Sequence, residues 1–260
     1  MDKLNTILKI NKHLLSEMPN LHFDEVPEDL NSQRRLMRAL MNVRQPMPLD
    51  KDFLKFQDEI LSQETIDKGV VTLDDLDSQS QIIVWQGDIT RLAVDAIVNA
   101  ANSALLGCFA PLHNCIDNAI HSAAGLQLRD ACNKIMQAQG HSEPTGNAQI
   151  TSAFNLPSKF VIHTVGPIIP SNRQPNITEK SLLASCYRSC LECAVSNNLT
   201  SIAFCCISTG EFHFPNQLAA EIAIKTVKDF INDNNYNITV VFNTFKDIDN
   251  DIYTRLLSPN

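Results

Sequence analysis

The sequence predicts an α/β protein, a mixed and largely parallel central sheet with helices on both faces, preceded by a helical extension. Three observations carry that expectation. From about residue 80, short apolar runs rich in β-branched residues alternate with long runs of helical spacing, the pattern of strands covered on both faces by crossover helices. Before residue 70 only the helical spacing occurs. A chain of 260 residues holds one domain of common size plus such an extension, and buries a core that folds without help from disulfides or metal.

In the extension, apolar residues recur at helical spacing in LNSQRRLMRALMNVR (30–44) and KDFLKFQDEILSQ (51–63), so two or three helices are expected. Pro46, Met47 and Pro48 form a connector, because proline neither donates a helical hydrogen bond nor lets its predecessor stay helical. The segment KGVVTLDDLDSQSQ (68–81) reads as a polar turn, and the boundary between an extension of residues 1–72 and a domain of residues 73–260 falls within it. QIIVWQ (81–86), VDAIVNA (94–100), KFVIHTV (159–165), SIAFCCIS (201–208) and ITVVFNTF (238–245) read as strands. The runs 115–136, 177–198 and 214–234 read as helices. There is no internal repeat and no low-complexity tract.

Composition narrows the function. Lys and Arg number 21 against 29 Asp and Glu, a net charge of −8, and no block of basic residues offers a surface that tracks a nucleic-acid backbone. Phosphates, if met, are met in a pocket. The N-terminal residues are broken by charges every few positions, and no later run reaches membrane-spanning length, which points to a cytoplasmic protein with no membrane partner. In that setting the eight Cys are free thiols or metal ligands rather than disulfides.

Open α/β sheets bind ligands at the carboxyl ends of their strands. Those ends carry Gly87, Asp88 and Ile89; Asn99 and Asn102; Ser208, Thr209, Gly210, Glu211 and Phe212; and Asn243 and Phe245. The 208–212 segment feeds a helix, so its backbone N–H groups are suited to a diphosphate; an ordinary turn with Gly210 supplying a positive φ explains it equally well. Asp88 either meets a ligand or caps the following turn. Phe245 either stacks on a base or packs at the sheet edge.

The densest chemistry lies in one loop. Cys108, His113 and Cys115 place two thiols and an imidazole within eight residues, the ligand types zinc prefers. A structural zinc takes four protein ligands and a catalytic one three, and no fourth is evident nearby; His121, six residues beyond Cys115, is expected to point elsewhere. Asp117 either touches the metal or its water, or simply complements a helix N-terminus. Cys115 opens the 115–136 helix, which lowers a thiol's pKa and leaves the first-turn N–H groups of Cys115, Ile116 and Asp117 available to a pyrophosphate. A Cys108/Cys115 nucleophile with His113 as base is the alternative, though the short spacing favours shared coordination. The remaining Cys, and His163, read as core residues.

Taken together and in order, GDIT (87–90), IVNAAN (97–102), HTVGP (163–167) and STG.F.FP (208–215) resemble the macrodomain family, three-layer α/β/α modules that bind ADP-ribose. NSALLGCFAPLHNCIDNAIHSAAG (102–125) looks like the zinc-dependent bacterial branch that hydrolyses ADP-ribose from proteins, and residues 38–61 resemble that branch's extension. Where other macrodomains have a glycine-rich loop this chain has Gly107, Cys108, Phe109, Ala110 and Pro111, and where they often have glycine it has His213, so catalytic residues of other branches do not transfer to those positions. The resemblance implies one Zn(2+) per chain on Cys108, His113 and Cys115, with catalysis involving Asn102 and Asp117. It gives Asp88 the adenine amine, Ile89 a neighbouring backbone contact, Asn102 the distal ribose, Ser208 through Phe212 the second phosphate loop, and Phe245 the adenine face. It further implies mono-ADP-ribosylated protein as substrate, such as a lipoyl-carrier protein modified by a sirtuin-like transferase. A non-catalytic ADP-ribose reader with a structural zinc and an O-acetyl-ADP-ribose deacetylase are the alternative functions for the same pocket.

Overall fold

The computed structural model describes residues 2–21, 25, 27–76, 80–171, 173–234 and 236–258. Three helices form the extension: α1 (Lys3–Glu17), α2 (Leu30–Val43) and α3 (Lys51–Lys68). Asp29 and Asp50 start the second and third by accepting from Ser32 N at 3.0 Å and Phe53 N at 2.8 Å. Their apolar faces meet in a core of their own, with Ile7, Ile10, Leu14, Met37, Leu40 and Phe53 buried, which Leu126 joins from the domain that follows.

After these helices come β1 (Val71–Thr72), β2 (Ile82–Gln86), β3 (Leu92–Ala93), β4 (Ala96–Ala100), α4 (Ile116–Ala124), α5 (Leu126–Gln139), β5 (Ala148–Ser152), β6 (Phe160–Thr164), α6 (Ile177–Ser196), β7 (Ser201–Phe204), α7 (Asn216–Asn234), β8 (Thr239–Thr244) and α8 (Asp247–Leu257). Six strands form the main sheet in the order β2-β8-β7-β4-β6-β5, parallel except for β5. The chain leaves β4 for β6 on one side and returns to β7 on the other, so a crevice opens between β4 and β7. Helices α6, α7 and α8 cover the face carrying Phe204 and Phe242, where Tyr187, Phe204, Phe242 and Tyr253 form a chain of rings at centroid distances of 5.0, 6.3 and 4.9 Å. Helix α4 covers the other face, where Asn99 meets Asp117.

Three details depart from the sequence reading. The polar turn at 68–81 contains β1, paired in parallel with β3. The single helix expected over 115–136 breaks at Gly125, whose φ of 96° and closeness to Gln57 exclude a side chain; an added Cβ would lie 2.6 Å from Gln57 Nε2. Gln57 Oε1 accepts from Leu126 N at 2.9 Å, so the extension occupies the break. Finally, β5 and α8 extend the regular structure beyond the expected elements.

Asp95 ties β4 to β7. Its carboxylate accepts from Thr200 N at 2.7 Å, Thr200 Oγ1 at 2.8 Å and Ser201 N at 3.1 Å, and pairs with Lys159 Nζ at 2.7 Å. Burial opposes ionisation, but the Lys159 and Thr200 hydrogen bonds outweigh it and hold the pKa at about 2. A folded-state pKa below the unfolded value gives stability that is present above that value and is lost as pH falls through about 2. We therefore expect Asp95→Asn to cost about 1–3 kcal/mol at pH 7, and the gap from wild type to narrow between pH 5 and pH 2. Urea unfolding at pH 7 and pH 3 checks this, and a constant gap would contradict it.

Candidate active site

A cleft of about 890 Å³ lies at the carboxyl ends of β2, β4, β7 and β8. It brings together every residue singled out as a ligand contact: Asp88 and Ile89, Asn102, the Cys108/His113/Cys115 group, Ile116 and Asp117, Ser208 through Phe212, and Phe245.

At one end, Asp88 Oδ1 accepts from Thr90 N at 3.0 Å and Thr90 Oγ1 at 2.7 Å, so it does cap the turn that follows β2. Its other oxygen lies 3.5 Å from Lys68 Nζ of α3, and the residue lines the cleft, so capping occupies only one atom of the carboxylate. Ile89 is buried beside it. Phe245 is 76% exposed in the cleft wall, so it is not packed against the sheet edge.

The loop after β7 corrects the expectation for Gly210. The left-handed residues there are Ser208 at φ 65° and His213 at φ 56°, not Gly210. Ser208 is buried and its Oγ has no hydrogen-bond partner among the described residues. His213, where the resemblance puts glycine, takes the glycine-like conformation itself.

At the opposite end, Asn102 follows β4. Its Nδ2 donates to Gly107 O at 3.0 Å and to Asp117 Oδ2 at 3.3 Å, and its Oδ1 accepts from Ala104 N at 3.0 Å. Both N–H groups are thus engaged within the chain, and the hydrogen-bonding capacity that remains is that of an acceptor at Oδ1. Asp117 Oδ1 accepts from Asn99 Nδ2 at 2.8 Å. Burial raises the Asp117 pKa to about 6, against the Asn99 hydrogen bond and the charge of Arg129. Beneath this pair, His121, Cys132 and His163 form a buried group whose ligand atoms lie within 4.8 Å of one another. Burial keeps both rings neutral, so the 3.5 Å approach of His121 Nε2 to Asp117 is not an ion pair. Gly107 rests on His121: an added Cβ there would meet the ring at 2.8 Å.

Cys108, His113 and Cys115 converge, with one ligand atom from each within 4.8 Å of the others. Neither His121 nor Asp117 joins them, and no fourth ligand does so among the described residues. His113 Nδ1 is buried without a hydrogen-bond partner among the described residues, while Nε2 lies 3.9 Å from Glu211 Oε1. Two thiols and an otherwise unsatisfied imidazole nitrogen are a donor set that fits zinc. One expectation reverses: Cys115 caps α4, accepting from Asn118 N at 3.4 Å, yet burial, with Cys108 and Asp117 alongside, raises its pKa to about 12. Burial outweighs the helix N-terminus.

Comparison with known proteins gives this geometry its context. The Macro domain family model matches residues 98–223. A protein-ADP-ribose hydrolase of Treponema medium is 51% identical over 252 residues, covering 95% of this chain and 96% of its own. The chain belongs to the macro domain family. A mutant macrodomain of Oceanobacillus iheyensis solved with ADPR is 42% identical, at a TM-score of 0.61, over 68% of this chain and 91% of its own. The Trypanosoma brucei macrodomain in complex with ADP-ribose is 27% identical, at a TM-score of 0.65, over 85% of this chain and 95% of its own.

Around the macrodomain cleft lie residues that the sequence did not single out. Arg38 of α2 lines the cleft, and Asn118, fully buried in α4, connects Arg38 to the 108–115 loop. Arg129 of α5, with its pKa lowered to about 10 by burial, donates to Leu106 O at 2.7 Å and lies 4.5 Å from the Phe109 ring centre. A buried Arg or Asn in a helix pattern is the only sequence signal these residues offer. Among the described residues, no helix is long and apolar enough to cross a membrane.

Proposed function

We propose that this macrodomain is a hydrolase that removes mono-ADP-ribose from modified protein side chains, with one zinc ion held by Cys108, His113 and Cys115. The observation that carries the reading is the convergence of these three ligands in the wall of the same cleft as Asn102 and Asp117. Three ligands rather than four favour a catalytic over a structural ion. Zinc bound there supplies Lewis acidity for oxygen atoms at the sugar end of the cleft.

The reaction adds water across the bond between the anomeric carbon of the distal ribose and the protein side chain. Asp117 fixes the Asn102 amide, leaving Asn102 Oδ1 to accept from a ribose hydroxyl. First-turn N–H groups of α4 and the backbone of residues 208–212 hold the diphosphate. Asp88 accepts from the adenine amine, Ile89 contributes its backbone, and Phe245 covers the ring. Residues 1–72 shape one wall, and residues 73–260 carry the reaction. The proposed setting is cytoplasmic, and a lipoyl-carrier protein modified by a sirtuin-like transferase is the first target to try.

Asp88→Ala is expected to weaken ADP-ribose binding by about 1–3 kcal/mol, the loss of a hydrogen bond to a charged group. Calorimetry measures it, and unchanged affinity sinks the adenine assignment. The function itself is tested by incubating the protein with mono-ADP-ribosylated protein and, separately, with O-acetyl-ADP-ribose. Release of ADP-ribose from the protein supports the hydrolase; binding without release means a reader, and turnover of the acetyl ester alone means a deacetylase.

A further inference from the structure

The loop bearing the three metal ligands is held from outside the α/β body. Arg38 of α2 donates through Nη2 to His113 O at 3.3 Å, and through Nε and Nη2 to Asn118 Oδ1 at 3.2 and 2.8 Å. Asn118 passes the connection on, its Nδ2 donating to Ala110 O at 3.0 Å. One turn further along α2, Asn42 Oδ1 accepts from Leu112 N at 3.0 Å and its Nδ2 donates to Ser122 Oγ at 3.0 Å. Asn42 and Asn118 are buried to 2% and 0% exposure, so these bonds are shielded from water.

The other end of the loop is tied to the same helix. Arg129 donates to Leu106 O at 2.7 Å and, through Nη1, to Met41 O at 2.7 Å and Arg44 O at 2.6 Å, where the last carbonyls of α2 favour a cation. At both ties the chain takes a conformation that costs energy: Leu105, beside the first, and Leu112, in the second, are left-handed, at φ 56° and 57°. Such a conformation persists only where its surroundings enforce it. At Leu112 the enforcing contacts come from α2.

We propose that α2 of the extension, through Arg38 and Asn42, is the scaffold of the metal loop, and that Arg38 is a positioning residue for His113 and Cys115. In its zinc consequence the inference rests on the reading above. A loop already clamped in its coordinating shape loses less conformational entropy when it takes a metal than a free one does. Arg38 is suited to this because its planar fork serves two acceptors at once, which a lysine ammonium on a flexible stem does not reproduce.

The test compares wild type, Arg38→Ala, Arg38→Lys and Asn42→Ala as full chains. In metal-free protein, the iodoacetamide labelling rates of Cys108, Cys115 and Cys193 are followed peptide by peptide; Cys193, half-buried on α6, reports on the fold elsewhere. Zinc affinity is measured by competition with a chromogenic chelator. The clamp predicts labelling of Cys108 and Cys115 several-fold faster in Arg38→Ala and Asn42→Ala, with Cys193 unchanged and Arg38→Lys rescuing little. It also predicts zinc affinity lower by about 10–100-fold, the usual loss when a residue that orients metal ligands is removed. Unchanged labelling overturns the proposal, and so does labelling of Cys193 that rises in step, since Arg38 would then support the fold as a whole. A wild type that takes up no zinc defeats the zinc reading, while the labelling rates still decide the clamp.

Discussion

Alanine in place of Cys108, His113 or Cys115 is expected to stop the release of ADP-ribose from modified protein while leaving a folded chain. Each side chain is partly exposed in the cleft wall rather than built into the core, so its removal costs little packing. Among the described residues, none of the three hydrophobic clusters includes them. Each substitution leaves two ligands, too few to fix an ion against solvent. The expected fall in turnover is about 10³-fold or more, the scale lost when a group that stabilises developing charge is deleted. A single-turnover assay reads it beside a melting curve. Turnover that falls only in proportion to the melting temperature would make the trio structural.

Asn102→Ala is expected to lower turnover by about 10²-fold, the cost of a misplacement of roughly 1 Å at a reacting centre. The effect comes through what Asn102 holds as well as what it touches. Its loss frees Gly107 O at the start of the Cys108–Cys115 loop and leaves Asp117 with Asn99 as its remaining amide donor. Asn102 is only partly buried, so the melting temperature should move little. If activity and melting temperature fall together, Asn102 is a structural residue.

What the sequence revealed follows from how each feature is built. The runs around Ile97, Ile202 and Val240 are fully buried, so their strands announce themselves as continuous apolar stretches. Strand β5 lies at the sheet edge and its AQITS is only partly buried, which leaves no such run to find. The break at Gly125 is hidden because Ala124, Leu128 and Cys132 keep helical spacing across it; the cause, Gln57, lies 69 residues from its partner Leu126. Helix α8, written DIDNDIYTRLL, is too acidic to stand out, although Ile252 and Tyr253 anchor it.

The site divides in the same way. The convergence of Cys108, His113 and Cys115 is legible because the three belong to one loop and lie close in sequence. Arg38 and Asn42 act on that loop from 75 and 70 residues away, and Arg129 reaches Met41 across 88, separations that no local pattern encodes. The Cys115 thiol shows the limit of a local rule: a helix N-terminus favours the thiolate, but burial beside Cys108 and Asp117 reverses the direction.

The central claim, hydrolysis that depends on zinc at this trio, is tested most directly by measuring metal content and ADP-ribose release on the same preparation before chelation, after it, and after zinc is restored. The account predicts one zinc per chain, no release from the chelated protein, and recovery on adding zinc. Chelated protein verified to be metal-free that still releases ADP-ribose at the original rate would contradict it.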